Sequence, residues 1–311
     1  MASRALHILF FPAILSLAGY LIYRIARQYD PDEVLASLAA IPAGRLLLAF
    51  GFAAASYLCL TGFDWLAVRY VGRPLPWRRC ALASFVSLSI GHNFGVAAMS
   101  SGAIRYRFYS RWGLSGSEII KVILFCALTV GLGLTILGGI ALVASPGLAG
   151  EYTRLPRWLV LLAGWSCLGL AAAYLAVSVF DWRPVRVGKY SLHVPPFHLA
   201  LGQTVIGPLN FACVAACLHQ GIAAVSEVSY FAVASSFVIA NVTAMISHVP
   251  GGLGVIESVI LFLLGGGKMI GAVLMFRMVY FVVPLALGGS VFVLIELALL
   301  LRSRRADRQR S

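Results

Sequence analysis

The chain has 311 residues, 60% of them hydrophobic and only 11% charged, with a mean hydropathy of +0.91. Several apolar runs exceed about eighteen residues, which excludes a soluble globular class and leaves a polytopic helical membrane protein. The net charge of +13 does not indicate nucleic acid, because the excess Lys and Arg lie in short loops and the C-terminal tail, where the positive-inside bias puts them.

The first predicted span is 5–23. With Arg4 ahead of it and Ser16-Leu17-Ala18 near its end it imitates a signal peptide, but the run is too long for an h-region, so it reads as a retained span. A loop over 24–45 leads to span 46–68, which carries Asp64 and Trp65 near its end. Loop 69–80 holds Arg69, Arg73, Arg78 and Arg79 and is expected in the cytoplasm. The run 81–104 is apolar enough to span, yet Gly91, Gly95 and Gly102 with His92 and Asn93 weaken a continuous helix. It reads as a re-entrant hairpin over about 81–112, whose exit half-helix 101–112 carries Arg105, Arg107 and Arg111. Ser115 and Glu118 have the spacing of a capping box at the start of span 117–144. Trp158 and Trp182 bracket span 158–180, loop 181–197 carries Arg183, Arg186 and Lys189, and span 198–218 follows. A second broken stretch, 228–264, is interrupted at His248-Val249-Pro250-Gly251-Gly252, and span 271–301 ends in a basic tail over 302–311. The predicted class is an all-α polytopic membrane protein in one domain, with about six full transmembrane helices and two re-entrant hairpins, eight helical elements in all.

Shifting the chain by 152 residues superposes these elements, so that 5–144 and about 158–296 read as two copies. Gly102 falls on Gly254, Arg105 on Glu257 and Gly113 on Gly265. Three full spans separate the two hairpins, which makes the copies an inverted-topology repeat. The first hairpin then enters from the cytoplasm, the second from outside, and both termini are cytoplasmic. Fifteen loop and tail Lys and Arg fall on the cytoplasmic side and six on the other.

A half-helix of about twelve residues spans roughly 18 Å, so both tips are expected near the midplane, where transporter substrate sites gather. The tip residues are Gly95, Gly102, Pro250, Gly251, Gly252 and Gly254. Arg105 and Glu257 occupy equivalent positions and are expected to pair there; Arg107 joins them as a substrate-binding candidate, while Arg111 is expected to reach the cytoplasmic headgroups. His92, Asn93, Ser100, Ser101, Asn241 and His248 flank the tips and complete the candidate set. Asp64, Arg277 and Glu296 read as partners among helices or as interfacial charges. The six cysteines lie in apolar runs without a CxxC pair and read as packing residues rather than disulfides or a zinc site.

Two motifs carry a family resemblance. His92-Asn93-x-Gly95 leads through small residues into Arg105-Tyr106-Arg107-Phe108-Tyr109-Ser110, and later comes Pro250-Gly251-Gly252-x-Gly254-x-x-Glu257. In this order they resemble the lysylphosphatidylglycerol synthase transmembrane family, the flippase-like domain of multiple peptide resistance factors, over nearly the whole chain. The resemblance implies a flippase that moves a phospholipid, an aminoacylated one among the candidates, between leaflets of the bacterial cytoplasmic (inner) membrane. The resembled two-domain synthases continue into further spans and a soluble aminoacyl-transferase domain, and this sequence stops at Ser311. No hydrolase, P-loop or metal motif is present, so neither enzyme activity nor a cofactor is expected. The expected partners are membrane phospholipids. Two rival readings are an accessory subunit of a lipid- or polyisoprenoid-processing enzyme, and an intramembrane hydrolase using His92 or His248.

Overall fold

The computed structural model describes residue 39 and residues 41–93, 97–147, 150, 155–180, 185–187, 190–192, 194–247, 249, 252–265 and 269–308. The expected first span, 5–23, lies outside them, as do Gly95, His248, Pro250 and Gly251. In chain order the helices are α1 Ala43–Tyr70, α2 Trp77–Gly91, α3 Ala97–Arg111, α4 Gly116–Ala144, α5 Arg157–Ser178, α6 Phe197–Ile222, α7 Tyr230–Ser247 and α8 Val255–Leu264. The last span is composite: α9 Ile270–Arg277, a π turn at Met278–Val282, and α10 Val283–Arg308. Four helices begin directly after a proline, Pro42, Pro76, Pro156 or Pro196, whose missing N–H is no loss at a helix start. The capping box opening α4 forms, with the Ser115 N–H donating to Glu118 Oε2 at 2.7 Å and the Glu118 N–H to Ser115 Oγ at 3.3 Å.

Six helices among the described residues are long and apolar enough to cross a membrane, and the protein is a multi-pass membrane protein. Polarity is arranged accordingly. Leu47, Leu58, Trp158, Leu162, Trp165 and Phe262 are exposed on the outside, while Asp64, Arg105, Gln203, Asn210 and Arg277 are buried. The sequence reading and the structure differ in three places. The first arm of the second broken stretch is α7, whose 18 residues make it long enough to cross unaided. Helix α3 starts at Ala97 rather than near residue 101, because Ala97-Ala98-Met99 are strong helix formers, so Gly102 sits inside the helix and not at a tip. Loop 181–197 is not all irregular: β1 Val185–Val187 pairs antiparallel with β2 Tyr190–Leu192, Val185 opposite Leu192. Val185 and Val187 before the two-residue link Gly188-Lys189 and Tyr190 after it are a hairpin signal that helical periodicity conceals.

Helices α2 and α3 pack antiparallel. Gly91, at the end of α2, lies against the backbone of Ser101, and the Arg79 guanidinium near its start is 5.7 Å from the ring of Trp112. Each has 15 residues, about 22 Å, which is short of the roughly 30 Å hydrocarbon core. Arg73 before α2 donates from Nε to Glu118 Oε1 after α3 at 3.0 Å, so the chain enters and leaves this pair at the same end.

Helices α1 and α6 form the central contact, and they too run antiparallel. Arg45 Nη1 donates to Gln220 Oε1 at 3.2 Å, Ser56 Oγ donates to Asn210 Oδ1 at 2.7 Å, Gly62 faces Ile206, and Gly202 faces Leu66. Rising numbers on one helix meet falling numbers on the other. Helix α4 approaches α6 backbone to backbone at Gly133 and Gly207, where a Cβ on Gly133 would stand 2.6 Å from the Gly207 carbonyl. In a background lacking the six native cysteines, Gly62→Cys with Ile206→Cys is expected to cross-link on mild oxidation. Gly62→Cys with Ala216→Cys, neighbours only in a parallel crossing, is expected to remain open on the same gel.

Candidate functional site

A cavity of about 360 Å³ opens between the two broken stretches. Leu60 and Phe63 of α1, Leu88 of α2 and His92 just after it, Ser101 and Arg105 of α3, and Ile123 and Ala127 of α4 line it from the first half of the chain. Asn210 and Val214 of α6, Phe237, Asn241 and Met245 of α7, Gly252, Ile256 of α8, and Tyr280 and Phe281 of the π turn line it from the second. Ala127 and Met245 line the cavity and are also exposed, so it is open rather than sealed.

Among the described residues the bundle interior holds three arginine–carboxylate clusters, and Arg105 of one of them lines the cavity. Arg105 gives Nε to Asp64 Oδ1 at 2.9 Å and Nη2 to Oδ2 at 2.8 Å, and Tyr109 adds its hydroxyl to Oδ1 at 2.7 Å. Two-point pairing of this kind is the strong form of the contact, and both side chains are buried. Arg277 of α9 gives Nε to Glu257 Oε1 at 2.7 Å, with Nη2 on the same oxygen, and its guanidinium carbon lies 4.6 Å from the Phe281 ring centroid. The other oxygen of Glu257 takes the N–H of Gly254 at 2.9 Å, fixing the carboxylate to the first turn of α8. That turn needs its glycines, since Gly252 and Gly254 have φ of 59° and 79°. Near the other end of the bundle, Glu296 of α10 accepts from Arg107 Nε at 2.7 Å, from Arg107 Nη2, and from Arg111 Nη1 at 3.0 Å.

The expected Arg105–Glu257 pair therefore does not form. Ser101 and Arg105 line the cavity, as do Gly252 and Ile256 beside Glu257, but the two charges do not meet there. Each charge is met instead by a full span beside it. Arg111 likewise turns to Glu296 together with Arg107, rather than to headgroups, because α10 offers a buried carboxylate within reach. Asn93 does not line the cavity: its Nδ2 donates to the Ser89 carbonyl at 2.9 Å, closing the end of its own helix. Ser101, Asn241, His92 and Gly252 do line it. Ser100 lies on α3, and its side chain is outside the described set.

The sequence reading missed a polar knot at the centre. Ser56 bonds both Asn210 and the Tyr280 hydroxyl, the latter at 2.9 Å. Pro284 has no N–H to give the Tyr280 carbonyl, and the Tyr57 hydroxyl reaches that oxygen at 3.4 Å. A proline four residues after a tyrosine inside an apolar run was the available signal. The His92 ring stacks on Tyr280 with centroids 6.2 Å apart, and its Nδ1 is buried with no hydrogen-bond partner.

Removing one partner of a buried pair leaves an uncompensated charge, so Asp64→Asn is expected to cost about 3–5 kcal/mol. The readout is a lower unfolding midpoint in detergent. Asp64→Leu combined with Arg105→Met is expected to regain most of that loss. Exchanging the charges of Arg105 and Glu257 is expected to regain nothing, because each new charge then faces a like charge on Asp64 or Arg277.

Comparison with known proteins agrees with the motifs. Over 288 residues the chain is 33% identical to slr0712, an uncharacterized protein of Synechocystis sp., covering 91% of this chain and 88% of that one. It is 30% identical over 303 residues to the inner membrane protein YbhN of Escherichia coli, covering 95% and 93%. Residues 8–288 match the family described as the lysylphosphatidylglycerol synthase TM region. With that match spanning most of its length, and two relatives alike from end to end, the chain belongs to the lysylphosphatidylglycerol synthase transmembrane family.

Proposed function

We propose that this protein is a non-enzymatic flippase that moves a phospholipid between the leaflets of the bacterial inner membrane. The observation that carries this reading is the open cavity: apolar helix faces surround it, and it holds one guanidinium, an imidazole and two amides. An amphipathic lipid needs such a polar path for its headgroup while its chains remain in the bilayer. Ala127 and Met245 mark where the cavity meets the bundle surface, on α4 and α7.

The accompanying architecture is an inverted repeat with two re-entrant elements, α2–α3 and α7–α8, and cytoplasmic termini. Three features support it. The 152-residue shift carries α1 onto α6, α2 onto α7, α3 onto α8 and α4 onto the composite last span. The equivalent helices α1 and α6 cross antiparallel, as copies related by an in-plane two-fold axis do. The neighbours repeat as well, since α2 packs on α10 at Ser89 and Gly288, and α7 packs on α4 at Val238 and Gly138. The joined entry and exit of α2–α3 at Arg73 and Glu118 suits a hairpin that dips in and returns. The inner membrane address of the relative YbhN fits the same picture.

Liposomes with purified protein and a fluorescent phospholipid test transport. Dithionite is expected to bleach label beyond the outer-leaflet fraction with the protein present, and Ala127→Trp, which fills the cavity, is expected to abolish the excess. Bleaching equal to protein-free liposomes would leave an accessory subunit as the better reading, and appearance of a new lipid product would point to an enzyme. Single cysteines replacing Ser117 and Lys268 are expected to label from the cytoplasmic and outer sides respectively; labelling from one side would end the inverted repeat.

A further inference from the structure

We infer that the headgroup this cavity accepts is an amine-free anionic one, a phosphodiester bearing hydroxyls, and not the cationic headgroup of an aminoacylated lipid. The inference rests on reading the cavity as a headgroup site and assigns the chemistry of its occupant.

The carboxylates of the interior are already engaged. An ammonium group deep in a membrane protein needs a carboxylate, and Asp64, Glu257 and Glu296 are the buried ones among the described residues. Asp64 is held by Arg105 through both oxygens and by Tyr109; Glu257 by Arg277 and the Gly254 N–H; Glu296 by Arg107 and Arg111. None of the three lines the cavity. The tip residues outside the described set add no acid wherever they lie, since 94–96 are Phe-Gly-Val and 250–251 are Pro-Gly. Aromatic faces are the other way to hold a cation. Tyr280, which lines the cavity, is already stacked on His92 and on Phe276.

What remains unspent has the opposite character. Asp64 takes Nε and Nη2 of Arg105, and Nη1 has no protein acceptor among the described residues, on a side chain that lines the cavity. Buried polar atoms are rarely left without a partner, and an orphan in a binding cavity marks a place for ligand. His92 Nδ1 has no partner among the described residues and is closed off as placed, on a side chain that lines the same cavity, so a ligand meets it as the ring turns toward that space. A phosphate oxygen satisfies the guanidinium edge, and a neighbouring headgroup hydroxyl or a second phosphate oxygen satisfies the imidazole in either of its tautomers. A lysyl or other ammonium group would instead meet Arg105 as a like charge.

Short-chain lipids test this by binding, apart from transport. The probes are dihexanoyl-phosphatidylglycerol and its lysyl ester, added to the purified full chain in detergent while its unfolding midpoint is followed. The phosphatidylglycerol is expected to raise the midpoint at a half-saturating concentration at least about tenfold below that of the ester, the size of one charge-assisted hydrogen bond. His92→Phe is expected to weaken the phosphatidylglycerol effect about tenfold without lowering the lipid-free midpoint, since an apolar ring removes an orphaned polar atom. If the phenylalanine variant does not fold, the comparison on the unaltered chain decides alone. Equal or tighter response to the lysyl ester, or no response to either lipid, overturns the assignment. Selective binding without any lipid movement in liposomes would retain the assignment and remove the transport reading. Equal movement of both lipids would do the reverse.

Discussion

An ion inside a bilayer-spanning bundle must be neutralised where it stands, and that constraint organises this fold. Three interior carboxylates each meet at least one arginine, and each of these contacts joins a short helix to a long span: α3 to α1, α8 to the composite last span through α9, and α3 again to that span through α10. The short helices α3 and α8 bury apolar residues of their own, Ile104 and Phe108 on one and Ile256, Ile260 and Leu263 on the other, and the guanidinium–carboxylate contacts add a defined geometry to that packing. That is a suitable way to seat a segment lining a cavity, because it fixes position without filling the space in front of it.

The same pairing explains why the cavity is only weakly charged despite two arginine-bearing elements beside it. Arg105 and Arg277 are spent on Asp64 and Glu257, which leaves Nη1 of Arg105 as the cationic edge the cavity offers. On the proposed function, a half-engaged guanidinium offers a phosphate a single contact where a free one would offer two.

The spans from α1 onward, the two interruptions, the capping box and the glycine stops at Gly113 and Gly265 were legible in the sequence, because periodicity, apolar length and positive-φ glycine are local signals. The ion pairs were legible only as a set. Asp64, Arg105, Glu257, Arg277 and Glu296 stood out as charges in apolar runs, but which meets which depends on helix neighbours. Arg105 and Asp64 are 41 positions apart, and Arg107 and Glu296 are 189 apart. Repeat equivalence pointed to Arg105 with Glu257 and was misleading, since equivalent positions can face each other across a cavity without touching. The central knot was missed for another reason: Ser56, Asn210 and Tyr280 are uncharged, and single polar residues in a long apolar run carry no register information.

Where the two halves depart from each other is itself informative. The 152-residue shift takes Ala127 and Met245, exposed at the cavity mouth, to Val279 and Asn93, which are buried at 2% and 4% exposure. Val279 belongs to the π turn, and Asn93 bonds its own helix end. The gap between α4 and α7 is thus open while its counterpart between α2 and the composite last span is shut. The shut side is also where the backbone is easiest to rearrange: a π turn followed by Pro284, with the Tyr280 carbonyl held by a side chain in place of the usual N–H. Helix α4, its counterpart, runs unbroken from Gly116 to Ala144. On the proposed inverted repeat and transport function, a second conformation would exchange the shapes of the two halves, and the π turn is where the closed gap would have to yield to reach it.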